Sequence, residues 1–515
     1  MSETDIIEIG GMVVFASIFA AILRNRKITP SLPLLVAGVI LGLLPFGPDA
    51  PTDPEFVLIA ILAPLVFGEA LSSSIVDLRR VSRPVMALAV GLVVFGAFVV
   101  GVVMHVVVPG IPWAMAFALG AILAPTDAVA VSATAKSAGL PRRLVQILEG
   151  ESLVNDGTAL TLLRVASVAA AAGSVTVVDT GLILAHSVLG GLIVGVLAGI
   201  VLIFVIKRSQ DVTVANGIVL LAPFPIYYFA ETAEGSGILA VVVAALLVAN
   251  ATSSAVAYTG RLQAAYLWRT ITFILQSAAF FLVGLEVTYV VTSIQNVSGW
   301  RLAALVAIIT VALLAARFFF VFFMTVLSST DSVRSRLWIV ASWAGARGPI
   351  SALAAFTLPL TQVDGDPLPY RSVVITITFC VVVVSLLLSL TIAPLARSLR
   401  LPADDDSDLL RRVRAQMARA ALERLEEIEG AAERTGRPMT GDAVQRLRRA
   451  AERRVDMSAR RVEEGEDTGV ITSLNMLKQV SGQMIHAEQQ ELLRLRDDEG
   501  LPDGLMRTLQ RELDV

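Results

Sequence analysis

The sequence predicts an all-α membrane protein with a polar helical tail, and three observations support this class. The 515 residues are 55% hydrophobic and 17% charged, with a mean hydropathy of +0.74, whereas soluble domains carry about 25% charged residues. Residues 401–515 hold 43 of the 85 charged residues. The first 400 residues contain apolar runs long enough to cross a bilayer. We therefore predict a transmembrane domain, residues 1–400, followed by a helical tail, residues 401–515.

The apolar runs predict thirteen transmembrane helices, on the basis that roughly 20 apolar residues cross the hydrocarbon core. The predicted spans are 6–23, 31–46, 54–74, 84–108, 112–134, 143–172, 180–206, 211–230, 235–252, 266–293, 300–328, 337–359 and 371–396.

Basic residues occur in alternate loops, which indicates the orientation of the chain. Loops after odd-numbered spans contain Lys and Arg, as in RNRK at 24–27 and RRVSR at 79–83. Loops after even-numbered spans contain almost none, Arg301 and Arg371 at the rims being exceptions. Cytoplasmic loops carry the excess of basic residues. The pattern predicts an N-terminus outside the cell and a cytoplasmic tail, in the cytoplasmic membrane.

Two predicted spans are interrupted at their centres. Span five contains AILAPTDAVAV, with Thr126 and Asp127 after a proline, and span twelve contains SWAGARGPISALAAF, with Arg347 beside a Gly-Pro pair. These spans occupy corresponding positions if the chain forms two inverted six-helix repeats. Broken helices at matching positions indicate a substrate site near the midplane in secondary transporters. The alternative is two ordinary proline kinks.

Charged residues within the predicted spans mark the candidate site, because each costs at least about 2.5–3.5 kcal/mol to insert. Glu149, Glu231, Glu234 and Glu286 fall near predicted helix ends and are expected to reach the headgroups, while Arg164 either does the same or forms a pair. The deeper set comprises Glu69, Asp127, Glu151, Asp156, Arg317 and Arg347.

The stretch EGESLVNDG at 149–157 presents two polar faces of one helix. Ser152 and Asp156 are i,i+4 neighbours, and Glu151 and Asn155 form a second such pair about 100° around the helix. A carboxylate and a hydroxyl suit a hard cation that prefers oxygen ligands. Glu151 needs a positive partner, either Arg317 or Arg347. A purely structural ion-pair network is the alternative interpretation of this set.

Burial explains how such a site exchanges ions. A carboxylate removed from water favours its protonated form, and a bound cation displaces the proton. Competition between the two, combined with alternating access, produces cation/proton exchange without ATP, cofactor or covalent intermediate. The sequence contains no GxxxxGK[ST] loop and no metal-binding Cys/His cluster. We therefore expect a transporter with no enzymatic activity and no cofactor.

Ordered motifs across residues 1–400 resemble the monovalent cation:proton antiporter-1 family, the bacterial and archaeal Na⁺/H⁺ antiporters related to animal sodium/hydrogen exchangers. The matching stretches, in family order, are LVFGEAL, AILAPTDAVAV, EGESLVNDG, AEGSGILAVV, FLVGLEV, AARFFF and WAGARGPIS. Each motif alone is weak evidence for the family, whereas the full set in this order is specific to it. The resemblance implies a homodimer in which a core domain moves against a dimerisation domain, in an elevator-like manner.

The resemblance also implies roles for individual residues. Asp156 matches the essential ion- and proton-binding carboxylate, and Asn155 stands where electrogenic relatives have a second aspartate. Thr126 and Asp127 match the unwound segment, where Asp127 supports the site or contacts the ion through water. Ser152 and Glu69 match positions that contribute to cation coordination or gating. Arg317 is expected to pair with Glu151, and Arg347 to balance charge at the break. The resemblance also allows these two arginines to exchange roles.

The expected function is electroneutral exchange of one Na⁺ or Li⁺ for one H⁺, with Asp156, Asp127 and Ser152 binding Na⁺. A K⁺/H⁺ exchanger of the same fold is the nearest alternative, and a cation channel or a membrane sensor is a more distant one. Expected partners are a second copy of the chain and membrane lipid, with no nucleic acid. The tail is expected to respond to pH or a regulatory ligand, to self-associate, or to serve as a passive appendage.

Overall fold

The computed structural model describes residues 3–26, 28–44, 57–73, 75–127, 140–173, 176–209, 211–255, 258–293, 298–328 and 332–399. In the tail it describes residues 416, 419, 420, 423, 426, 427, 448 and 449, which are helical and exposed. The chain divides into two compact units, residues 1–403 and 404–515. Apart from those eight residues, the predicted tail helices lie outside the described residues.

The described part of the first unit is helical, which confirms the all-α class there. Its first half contains α1 (Glu3–Asn25), α2 (Ser31–Gly42), a π-helical segment Val57–Leu62 that leads into α3 (Ala63–Ser72), α4 (Ile75–Arg80), α5 (Ser82–Met86), a second π-helical segment Ala87–Leu92, α6 (Val93–Val107), α7 (Trp113–Leu123), α8 (Arg142–Ala171) and α9 (Val177–Arg208).

The second half of this unit contains α10 (Val212–Leu221), α11 (Pro223–Thr232), α12 (Gly237–Ala255), α13 (Tyr258–Leu285), α14 (Val287–Ser293), α15 (Gly299–Ser328), α16 (Ser332–Trp343), α17 (Pro349–Phe356), α18 (Arg371–Ser389) and α19 (Ile392–Ser398). Among the described residues, β-pairing is limited to one isolated antiparallel bridge, between Thr361 and Pro367.

Seven helical stretches of the described chain are long and apolar enough to cross a membrane. They are Glu8–Asn25, Ser82–Val107, Val178–Arg208, Val212–Thr232, Gln263–Thr292, Gly299–Met324 and Arg371–Ser398. Four shorter apolar helices accompany them. Helix α8 has the length of a span but carries the charged residues of the candidate site. The chain is thus a multi-pass membrane protein, while the count of thirteen spans and the inverted repeats stay predictions.

Exposed apolar side chains cover the outer face of α9. Leu189, Ile193, Leu197, Ile200 and Phe204 are all more than half exposed. Spacings of three and four residues place them on one side of the helix. A soluble protein rarely exposes so large an apolar surface, and lipid contact accounts for it.

Two glycines allow α2 and α13 to pack with their backbones in contact. A β-carbon on Gly38 would overlap the carbonyl oxygen of Phe281, and one on Gly284 would overlap that of Leu35. Small residues permit such close approach between membrane helices. The contact fixes α13, which also contributes to the candidate site, against α2.

Gly284→Ala is expected to destabilise the protein by about 1–3 kcal/mol, because the added methyl group forces the two backbones apart. The measurement is thermal unfolding of the detergent-purified protein. Gly10→Ala on α1 is the matched control, since nothing lies within 4 Å of its added β-carbon. It should be neutral or stabilising by up to about 1 kcal/mol. Equal shifts for both variants would contradict the close-contact explanation.

Candidate functional site

The chain leaves helical structure at two places that lie side by side. Helix α7 ends at Leu123 and residues 124–127 are irregular, while residues 344–348 separate α16 from α17. The backbone N–H of Asp127 donates to the carbonyl oxygen of Ala346 at 2.8 Å. The Asp127 side chain lies so close to Gly348 that a β-carbon there would overlap it. Residues 128–139, the rest of the predicted fifth span, lie outside the described residues.

Arg347 lies between the two interruptions and is buried, with 4% of its surface exposed. Its Nε donates to the carbonyl oxygen of Leu123 at 3.0 Å, and Nη1 donates to the carbonyl oxygen of Gly345. Carbonyl groups at the end of a helix carry partial negative charge, which a cation offsets. The structure therefore places Arg347 on backbone carbonyls at both breaks.

Glu151 and Arg317 form a buried ion pair. Nη1 and Nη2 of Arg317 lie 2.5 Å and 2.8 Å from the two oxygens of the Glu151 carboxylate, and both residues are 1% exposed. The Nε of Arg317 donates to the carbonyl oxygen of Ala341 at 3.0 Å. Such a bidentate geometry is the strong form of the interaction. Of the two arginines that the sequence left open, Arg317 is the one on Glu151.

Thr126 connects the first break to α8. Its Oγ1 donates to Oε1 of Glu151 at 3.3 Å and accepts from Nδ2 of Asn155 at 3.0 Å. Ser152 donates its hydroxyl to the Thr126 carbonyl oxygen at 2.6 Å. Three neighbouring residues of α8 thus hold one residue of the unwound segment. Asn155 is fully buried and does not line the cavity described next.

A small cavity of about 20 Å³ lies where α3, α8, α13 and the two breaks meet. A volume of this size holds one water-sized particle. Five of the nine residues assigned from the sequence line it. The lining residues are Leu65, Glu69, Pro125, Thr126, Asp127, Ser152, Asp156, Gln276, Phe280, Gly348, Pro349, Ile350 and Ser351.

Three carboxylates face this cavity from different elements: Glu69 from α3, Asp127 from the first break and Asp156 from α8. Asp156 is 2% exposed, and no described residue gives its carboxylate a hydrogen bond or an ion pair. A buried ionised carboxylate without such compensation is unfavourable. Either a proton or a bound cation relieves that cost, which makes the cavity suited to alternate occupation by the two.

The sequence did not single out Gln276, whose amide lies 3.0 Å from the Glu69 carboxylate. Its signal was present, because it is an isolated amide within the apolar stretch TFILQSAAFF. Glu286, which was expected near a helix end, lies between α13 and α14 and is buried, with 5% of its surface exposed. Arg164 forms a half-exposed pair with Glu231 at 3.2 Å.

The family model for the sodium/hydrogen exchanger, transmembrane, matches residues 12–398. An uncharacterized Na⁺/H⁺ exchanger of Mycobacterium tuberculosis is 30% identical over 98% of this chain and 95% of its own length. A sodium, potassium, lithium and rubidium/H⁺ antiporter of Bacillus subtilis is 28% identical over 97% of this chain and 76% of its own length.

Among solved structures, the sodium proton antiporter MjNhaP1 of Methanocaldococcus jannaschii has a similar fold. It superimposes with a TM-score of 0.64 at 20% identity, covering 76% of this chain and 97% of its own. The similarity supports the fold, and the family match extends over most of the chain, including the whole cavity. The resemblance predicted from the ordered motifs is confirmed: this chain belongs to the sodium/hydrogen exchanger family.

Proposed function

We propose that this protein exchanges Na⁺ or Li⁺ for H⁺ across the cytoplasmic membrane, and that Asp156 binds the cation and the proton in turn. The observation that carries the proposal is the burial of Asp156 in a cavity it shares with two further carboxylates. Family membership supports cation/proton exchange as the general activity. Neither a cofactor nor a covalent step is part of the proposed cycle.

The cavity offers oxygen ligands of the kind that a hard monovalent cation prefers. Asp156, Asp127 and Ser152 are the proposed Na⁺ ligands, with Thr126 and Glu69 completing the wall. A cation that enters neutralises part of the repulsion among the acids and displaces the proton from Asp156. When the cation leaves, a proton restores the balance. The two substrates therefore compete for one site, as a coupled exchanger requires.

We infer that one cation exchanges for one proton without net charge movement. Glu151 is neutralised by Arg317, and Asn155 is an uncharged amide held by Thr126. With Glu69 and Asp127 keeping the same protonation throughout the cycle, Asp156 alone changes its charge. The membrane potential, worth about 2.3 kcal/mol per charge per 100 mV, then neither drives nor opposes transport.

Exchange of K⁺ for H⁺ is the second candidate, because the related Bacillus proteins carry sodium, potassium, lithium and rubidium in their names. The cavity of about 20 Å³ admits a particle the size of a water molecule, and K⁺ is about that size, so the response to each added cation decides between the two candidates. A cation channel or a membrane sensor is the alternative from another class. It lacks the support that family membership gives to exchange.

We also propose a homodimer with elevator-like alternating access, an outside N-terminus and a cytoplasmic tail. The basic residues of alternate loops support the orientation, and the family resemblance supports the dimer and its movement. Tail residues 401–515 are proposed to regulate exchange through a ligand or through self-association. Membrane lipid is the other proposed partner, and no nucleic-acid partner is proposed.

Proteoliposomes that enclose a pH-sensitive dye test this function. Addition of Na⁺ or Li⁺ to vesicles with an acidic interior should raise the internal pH, with a smaller response to K⁺. The rate and the end point should stay the same when the membrane potential is clamped at zero or at about −100 mV. A response that changes with the clamped potential would refute electroneutrality, and single-channel current in planar bilayers would favour a channel.

A further inference from the structure

Gln276 lines the cavity but has no role in the cation and proton binding proposed above for the three acids. It lies on α13, four residues before Phe280, and both residues line the cavity. Its Nε2 donates a hydrogen bond of 3.0 Å to Oε1 of Glu69 on α3. The two side chains are half-buried. An amide from one helix and a carboxylate from another thus form one unit in the cavity wall.

The two helices are held together close to this hydrogen bond. The ring of Trp268 on α13 packs on Phe67 of α3, with 5.2 Å between ring centroids. Gly68, beside Glu69, leaves room for the side chains of Trp268 and Thr272. Since α13 is also fixed against α2, the amide and the carboxylate approach each other from rigid supports. Rigid helices position functional groups more accurately than loops do.

The charges of the cavity explain why Glu69 needs such a partner. Its carboxylate shares the cavity with those of Asp127 and Asp156, and like charges repel. A half-buried glutamate without a donor lowers its energy by turning toward water. The Gln276 amide holds the carboxylate in place and adds no net charge. Arg317, in contrast, neutralises Glu151. Gln276 therefore leaves the negative charge of Glu69 available to a cation.

We propose that Gln276 is a specificity-determining positioning residue, which holds the Glu69 carboxylate at the cavity wall and thereby favours Na⁺ and Li⁺ over K⁺ and Rb⁺. The proposal rests on the proposed function and names how that site selects its cation. Selectivity among cations depends on cavity size, ligand number and ligand flexibility. A fixed carboxylate keeps the cavity small, whereas one that turns away widens it for a larger ion.

Gln276→Met tests the proposal, because it keeps the length of the side chain and removes the donor. The full chain in proteoliposomes is assayed for half-saturating concentrations of Na⁺, Li⁺, K⁺ and Rb⁺. The Na⁺ value should rise roughly five- to tenfold, as expected for losing one typical intramolecular hydrogen bond. The K⁺ value should change by less than about twofold. The preference for Na⁺ over K⁺ therefore falls, whatever its value in the wild type.

Three further variants separate positioning from general damage. Gln276→Asn keeps an amide that is one methylene too short to reach Glu69, so it should behave as Gln276→Met does. Gln263→Met, at an exposed glutamine of the same helix, should leave all four values unchanged. In a Glu69→Ala background, Gln276→Met should no longer alter the ratio, because the group that it positions is gone. Size-exclusion chromatography verifies that each variant is folded.

The outcomes distinguish this inference from the proposed function. If the wild type exchanges cations but the Gln276 variants keep its Na⁺/K⁺ ratio, only the proposed role of Gln276 is overturned. The same shift of the ratio with and without Glu69 also overturns it. A wild-type protein that gives no cation-dependent proton flux overturns both.

Discussion

Asp156→Asn is expected to abolish exchange of every monovalent cation for protons. Asparagine has almost the same shape as aspartate, but its amide neither binds and releases a proton near neutral pH nor supplies a negative charge to a dehydrated cation. Exchange should fall at least about 100-fold, which corresponds to about 2.7 kcal/mol. The measurement is the pH-dye response of proteoliposomes to added Na⁺, Li⁺ and K⁺.

A stability measurement separates this loss of function from misfolding. Asp156 is buried beside two other acids, so removing its charge should leave the unfolding temperature unchanged or raise it. Added Na⁺ should stabilise the wild type, because a ligand that binds only the native state shifts the unfolding equilibrium. It should leave Asp156→Asn unaffected.

Asp179→Asn is the matched control, since Asp179 is exposed and caps the start of α9. Asparagine also accepts hydrogen bonds at a helix N-terminus, so exchange should remain at the wild-type rate. Full exchange by Asp156→Asn would exclude Asp156 as the ion-binding group and would move attention to Glu69 and Asp127.

The sequence was sufficient to find the acids of the cavity because charge within an apolar span is so costly that it stands out. Glu69 is a lone charge in an apolar run, Asp156 belongs to the polar stretch EGESLVNDG inside a predicted span, and Asp127 follows a proline within another span. Helical spacing also separated Glu151 from Asp156 before any partner was known. The predicted breaks depended on Pro and Gly, which interrupt helices for reasons that are local to the chain.

The partners of these residues depend on contacts between distant parts of the chain, which spacing does not report. The choice of Arg317 over Arg347 for Glu151 follows from the position of α15, which brings the guanidinium of Arg317 to the Glu151 carboxylate on α8. Gln276 lies 207 positions after Glu69, and only the packing of α13 on α3 brings them together. Spacing gave Ser152 and Asp156 one face, yet the hydroxyl of Ser152 also holds the Thr126 carbonyl group.

Glu151→Gln is expected to destabilise the protein by about 3–5 kcal/mol, because it leaves the buried guanidinium of Arg317 without a counter-charge. Arg317→Met should have an effect of similar size, since it leaves the Glu151 carboxylate buried and uncompensated. The double variant Glu151→Gln/Arg317→Met should recover most of the stability, because an uncharged replacement of a buried pair is often neutral. Thermal unfolding of the detergent-purified variants, followed by tryptophan fluorescence, measures all three changes.

Glu231→Gln provides the matched control for this double-variant test. Its pair with Arg164 is half-exposed, with 33% of the Glu231 side chain accessible, and such pairs contribute about 0–1 kcal/mol. The glutamine oxygen still accepts from the backbone N–H of Gly237, as Glu231 does at 2.9 Å. If Glu151→Gln shifts unfolding no more than Glu231→Gln does, the buried pair does not hold α8 to α15. If the double variant is stable and still exchanges cations, Glu151 and Arg317 support the site without taking part in ion transfer.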